Sequence, residues 1–153
     1  MSARRGFTLV ELMIIVALLG ILAAIVIPEF GSNTSEAKTS ALCSDLATIR
    51  KQIELYRYNH QEQLPAAVGE TGDDFTRRLT TKTDGAGNAG AEFGPYFQRM
   101  PVNPFNNLAT VRVGDAAAGA NTHGWRFDPV SGQFLADDST DTDADGVLDH
   151  VGL

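Results

Sequence analysis

Asp141, Asp143, Asp145, Gly146 and Asp149 are spaced as D-x-D-x-D-G-x-x-D. Carboxylates at alternating positions, with a glycine at the turn, suit a hard cation that takes roughly six to eight oxygens, so the run reads as the opening of a calcium loop. The glutamate that would close such a loop is replaced by Gly152, and no helix follows. The Val147 carbonyl and Asp137 or Asp138 are the groups available to complete the shell; without them the aspartates form only a solvated acidic tail. Other chemistry lacks its parts. His60, His123 and His150 are far apart and lack metal-ligand spacing, and no nucleophile motif surrounds a serine or Cys43, so an enzyme is not expected. The glycine-rich stretch Thr83 to Gly90 has no GK[ST] and no flanking strand and helix, which argues against phosphate binding. Twelve Lys and Arg are scattered through a chain of net charge −7, so no nucleic-acid partner is expected. A lone Cys43 cannot form an intramolecular disulfide and is expected to be a small buried residue on a helix.

One further carboxylate stands out by its surroundings. Glu11 interrupts a mostly apolar stretch that runs from Phe7 to Ile27, 21 residues in all, and Leu12 to Ile27 carries no charge. That is about the length of a membrane span, and Arg4 and Arg5 just before it would hold that end in the cytoplasm, leaving the rest of the chain outside. A secretory signal or a twin-arginine signal would need a small-residue cleavage site downstream, which Ala24 to Pro28 does not supply. A plain anchor leaves Glu11 unexplained, since a carboxylate in hydrocarbon costs on the order of 2.5 kcal/mol or more without a partner.

The elements around these residues follow from periodicity. Leu42, Leu46, Ile49, Ile53 and Tyr56 fall on one helical face, with Lys38, Ser44, Asp45, Arg50, Lys51, Gln52 and Arg57 opposite. With the apolar run they predict one long helix from about Phe7 to about Gln61, disturbed by a kink or local melting between Gly20 and Pro28 and ended by Leu64-Pro65. A short helix is predicted from Asp73 to Thr80, with Asp73 as N-cap and Phe75 and Leu79 facing inward. Thr110 to Val113, the alternation His123, Trp125, Phe127, and Gln133 to Ala136 predict strands, with Asp128 to Gly132 as a turn. Trp125, Phe127 and Phe134 are the natural cover for the helix stripe. The predicted class is α+β, with a long amino-terminal helix packed by its second half on a small antiparallel sheet.

Arg4-Arg5-Gly6-Phe7-Thr8-Leu9-Val10-Glu11-Leu12 resembles the prepilin motif of type IV pilins and type II secretion pseudopilins. The resemblance implies a leader of residues 1–6, cleavage between Gly6 and Phe7 by a prepilin peptidase, and N-methylation of Phe7. It further implies a transmembrane and filament-core helix over 7–28 and a pilin-like globular domain, periplasmic or extracellular, over 29–153. The new amino group would stay cationic and pair with Glu11, within one helix or between subunits. A homo-oligomeric filament, the inner membrane, an assembly platform and minor pseudopilins are the implied partners. Gly94 to Phe97 and Met100 to Phe105 resemble the post-helix segment of major pseudopilins, and that family's calcium-binding carboxy-terminal loop adds to the expectation of calcium at the acidic tail. The absence of a second cysteine favours a type II secretion pseudopilin over a type IV pilin of a surface fibre. A membrane-tethered monomeric calcium-binding protein, retaining Met1 to Gly6, is the alternative from a different class.

Overall fold

The computed structural model describes residues 7–141, 148–150, 152 and 153, and of residues 25–33 the backbone alone. The chain divides into two compact units, Met1–Ala37 and Lys38–Leu153.

Helix α1 (Leu9–Asn59) matches the long helix expected from the periodicity. Its backbone is helical from Gly20 through Pro28, so the local melting expected there does not occur. One proline removes a single rung, and the ladder resumes beyond it. The carboxy-terminal end precedes Leu64-Pro65: Gln61 and Glu62 turn to φ 54° and 65°, and the Glu62 N–H donates to the Arg57 carbonyl at 2.9 Å. That six-to-one bond belongs to a Schellman motif and caps the last carbonyls locally, before the proline can act.

In the second unit, the predicted stripe Leu42, Leu46, Ile49, Ile53 and Tyr56 is buried and belongs to one core cluster with Phe75, Leu79, Trp125, Phe127 and Phe134. Cys43, one step along from Leu42 and therefore off the stripe, is exposed rather than buried. Helix α2 (Gly72–Thr80) buries Phe75 and Leu79 as expected. Its N-cap is Thr71, not Asp73: the Thr71 side chain accepts from the Asp74 N–H, and Asp74 returns to the Thr71 backbone. This reciprocal capping box satisfies two donors where a lone Asp73 would satisfy one.

The sheet comprises β1 (Val111–Val113), β2 (Trp125–Phe127) and β3 (Phe134–Ala136), in that order. β2 and β3 form the expected antiparallel pair, with Phe127 opposite Phe134, around a turn in which Asp128 Oδ1 accepts the Val130 N–H at 2.9 Å. β1 and β2, however, run parallel, with Val111 opposite Trp125, so the sheet is mixed rather than antiparallel. A parallel neighbour needs a crossover longer than a hairpin, and residues 114–124 supply it. Gly124 lets this crossover return: a Cβ there would stand 2.0 Å from the Leu108 carbonyl oxygen. Register puts Trp125, Phe127 and Phe134 on the core face, where Phe75 lies 4.7 Å from Phe127 and 5.7 Å from Phe134 between ring centres. Arg112, Arg126 and Leu135 point to the opposite face.

Candidate functional site

Two segments carry the candidate chemistry, and each is built from local hydrogen bonding. At the start of α1, the Leu12 N–H donates to the Thr8 carbonyl at 3.3 Å, which makes Thr8 the N-cap and Glu11 the third helical residue. Glu11 Oε2 accepts from the Thr8 N–H at 2.9 Å and from the Thr8 hydroxyl at 2.8 Å, while Thr8 Oγ1 accepts the Glu11 N–H at 3.2 Å. The box was readable as T-x-x-E before an apolar run, and the residue reading of Glu11 alone missed Thr8. Around it residues 7–24 are exposed on every side, Phe7 by 74%. Gly6 lies outside the described residues. Among the described residues no helix is long and apolar enough to cross a membrane.

At the other end, the calcium candidates divide. Asp143 and Asp145 lie outside the described residues, whereas Asp141 and Asp149 flank that gap. The Asp149 N–H donates to the Thr140 carbonyl at 2.9 Å and closes the base of the loop. Asp137 is fully buried and held by Arg112, whose Nε and Nη2 donate at 3.0 and 2.6 Å. It also accepts the Gly119 and Ala120 N–H groups at 3.0 and 3.3 Å. Asp138 accepts from Asn103 Nδ2 at 2.9 Å, His150 Nδ1 at 2.8 Å and the Thr140 N–H at 3.3 Å. Burial pushes the Asp138 carboxyl up, but the bonds from Asn103, Thr140 and His150 outweigh it and hold it below the usual carboxylate range. Both aspartates therefore have protein partners where a cation was expected to use them, and among the described residues no group of three or more His, Cys, Asp or Glu is placed to hold a metal.

His150 does more than hydrogen-bond Asp138. Its ring packs 4.0 Å from Phe105, and Arg50 donates to the Leu153 carbonyl, so the last residues are fastened at two points. No local pattern signals this, since His150 and Asp138 are 12 residues apart. The three histidines have separate surroundings. His60 is buried, with its ring nitrogens 2.8 Å from the Tyr56 carbonyl and 2.9 Å from Thr83 Oγ1, and His123 Nδ1 sits 2.9 Å from Thr122 Oγ1.

The segment carrying Gly6, Phe7, Thr8 and Glu11 lies within residues 1–27, which match the family described as the prokaryotic N-terminal methylation motif. Similarity extends well past it. The chain is 31% identical over 111 residues to a type II secretion system core protein G of Pseudomonas aeruginosa, covering 68% of this chain and 70% of that protein. It belongs to the family of type IV pilins and type II secretion pseudopilins. Another member, the type II secretion system core protein G of Vibrio cholerae, is 29% identical over 107 residues, covering 70% of this chain and 69% of that one. The type IV major fimbrial protein FimA of Dichelobacter nodosus is 36% identical over 94 residues, covering 58% of this chain and 60% of FimA. No solved structure gives a significant match. The long helix and small sheet of this chain are a pilin-like α+β arrangement.

Proposed function

We propose that this chain is the structural subunit of a type II secretion pseudopilus, polymerising through its amino-terminal helix to drive protein export. The observation that carries the reading is the helix surface over residues 7–24, apolar and exposed on all sides apart from Thr8, Glu11 and a few small residues. Such a surface needs cover, first from the inner membrane and then from copies of itself. Together with residues 25–27 the run is long enough to span a bilayer, with the globular unit on the periplasmic side. Processing would remove residues 1–6, and the methylated amino group of Phe7 on one subunit would pair with Glu11 on its neighbour. A prepilin peptidase, an inner-membrane platform and minor pseudopilins are the partners this requires.

The primary test is the mass of the mature protein together with filament yield. Loss of six residues and gain of one methyl group is expected, and an intact leader would overturn the reading. Glu11→Ala should insert normally yet give little filament, because it leaves a buried ammonium unpaired. The similarity to fimbrial proteins favours a second reading, a type IV pilin of a surface fibre. Disruption of the gene separates the two: a pseudopilin's loss traps secreted proteins in the periplasm, whereas a pilin's loss removes surface fibres.

Calcium at the loop of Asp141, Asp143, Asp145 and Asp149 is part of the same proposal, supported by the spacing of the aspartates and by the closed base at Thr140 and Asp149. A metal that binds only the folded form raises the melting temperature by mass action. Melts in chelator and in millimolar calcium that coincide, for wild type and for Asp143→Ala with Asp145→Ala, would refute the site.

A further inference from the structure

We infer that a cleft over Tyr56 is a docking site for an uncharged peptide segment, with small aliphatic side chains, of a partner protein. The cleft lies within the Lys38–Leu153 unit and has a volume of about 450 Å³, inside the range of roughly 300–1,000 Å³ usual for ligand pockets. Its floor holds an unused donor. Tyr56 is 1% exposed, and burial pushes its phenol above the ordinary value, so the group keeps its proton. The Tyr56 carbonyl is taken by the His60 ring, but among the described residues the hydroxyl makes no hydrogen bond. It ends beside Gly87 and Arg78, and a Cβ on Gly87 would stand 2.5 Å from it, so glycine keeps that space open. A buried donor without an acceptor is costly, and a ligand that brings an acceptor removes the cost.

The lining selects the class of ligand. Leu64, Ala66, Ala67, Ala86 and Pro129 give small aliphatic walls, and the Tyr56 ring is stacked on His60 and edged by Tyr96, which leaves it unavailable to a sugar. Charge is balanced within the walls, where Glu70 is paired through both oxygens with Arg78 and Glu62 is paired with Arg57 at 2.7 Å. An ionised ligand would have to compete with those pairs, whereas an uncharged one leaves them intact. A peptide group is uncharged, brings a carbonyl to the Tyr56 hydroxyl, and offers an N–H to the oxygens of Glu62 or Gln63. Val68 and Val130, next in sequence to Ala67 and Pro129, are 74% and 75% exposed and add apolar surface for the flanking residues of such a segment.

The test uses the full-length chain in mild detergent, labelled at its alanine methyl groups and titrated with N-acetyl-trialanine N-methylamide under nuclear magnetic resonance. Saturable shifts of the Ala66, Ala67 and Ala86 methyl signals are expected. A glutamate in place of the peptide's central alanine should weaken binding about tenfold, because it meets Glu62 and Glu70. Tyr56→Phe removes the hydroxyl alone and should lower the affinity about fivefold, the order of one hydrogen bond. Its melting temperature should stay level with wild type or rise, since no bond within the fold is lost. Ala86→Leu, at an exposed position, should fill the cleft and abolish binding. Absence of saturable shifts at millimolar peptide, equal binding of the glutamate peptide, wild-type affinity in Tyr56→Phe or undiminished binding in Ala86→Leu would each overturn the inference. A lower melting temperature for Tyr56→Phe would assign the hydroxyl to holding the fold and overturn it as well. None of these results bears on the filament reading, which stands or falls on processing and polymerisation.

Discussion

Replacing Asp137 by alanine should be among the most destabilising single changes in the globular unit. Its carboxylate is 0% exposed and accepts four bonds, two from Arg112 and two from the backbone of Gly119 and Ala120. It therefore fastens the crossover between β1 and β2 to the end of β3. Alanine leaves two backbone donors without their acceptor, at about 1–3 kcal/mol each if they stay dry. It also leaves a guanidinium unpaired, and breaking a buried ion pair costs roughly 3–5 kcal/mol. Those figures do not add in full. Arg112 is 18% exposed and can turn to water, and the loop at Gly119 is only partly buried, so a net loss of about 3 kcal/mol is the reasoned value. For a unit the size of Lys38–Leu153, with roughly 2.1 cal/mol/K of unfolding entropy per residue, that corresponds to a fall in Tm of about 12 °C. Thermal melts of the full-length chain in mild detergent, followed through the near-ultraviolet circular dichroism of buried Trp125, would measure it. Asp137→Asn retains an acceptor for the backbone donors and should lose about half as much. A loss under about 1 kcal/mol for Asp137→Ala would show that the crossover is held by something other than this carboxylate.

Two further changes probe the outer fastenings. The Glu70 carboxyl is held down to about 2, first by the bonds from Arg78 and then by the Ala67 N–H. Its folded value lies below the ordinary 4.5, so the pair stabilises the fold fully above about pH 4.5 and the gain disappears as pH falls towards 2. At about 1.4 kcal/mol per unit the shift corresponds to roughly 3 kcal/mol, but the Glu70 side chain is 32% exposed, and screening reduces the expected gain to about 1 kcal/mol. Glu70→Gln should therefore melt below wild type at pH 7 and level with it near pH 2; a constant gap across that range would contradict the assignment. His150→Ala should free the last residues by exposing the Asp138 carboxylate and uncovering Phe105. About 2 kcal/mol of stability should be lost, with faster proteolysis after Ala136, and an unchanged digestion pattern would mean that Arg50 alone secures the terminus.

The features legible in the sequence are those set by local spacing. The stripe from Leu42 to Tyr56 and the pair Phe75 and Leu79 follow helical periodicity, and all are buried in one core. Trp125, Phe127 and Phe134 were identifiable as its cover because alternation in a short strand places them on one face. The direction of β1 was not legible. It depends on where a crossover with no periodicity returns, and that is decided by contacts distant in sequence, such as Asn103 Nδ2 to the Gly124 carbonyl at 2.9 Å and Arg112 to Asp137. The α2 cap was misplaced because Asp73 was weighed alone, although Thr71 with Asp74 makes a reciprocal box. At the acidic tail, alternation revealed the aspartates but not that Asp137 and Asp138 already have partners on other elements.

On the filament reading, Asp137 and Glu11 present one physical problem, a carboxylate removed from water, with solutions completed to different degrees. Asp137 has a cation and two backbone donors inside its own fold, so its charge is settled when the chain folds. Among the described residues Glu11 has only the N–H and hydroxyl of Thr8 and no ion-pair partner. Hydrogen bonds lower the cost of placing a carboxylate in hydrocarbon, but only an opposite charge offsets the remainder. On the filament reading, that remainder directs association. A subunit with leucine at position 11 would enter the membrane more readily and pack as well along its apolar sides, but nothing would then fix its height along the helix of its neighbour. On that same reading Glu11 rewards only the register that brings a cationic amino terminus to its carboxylate, which would tie assembly to prior removal of the leader.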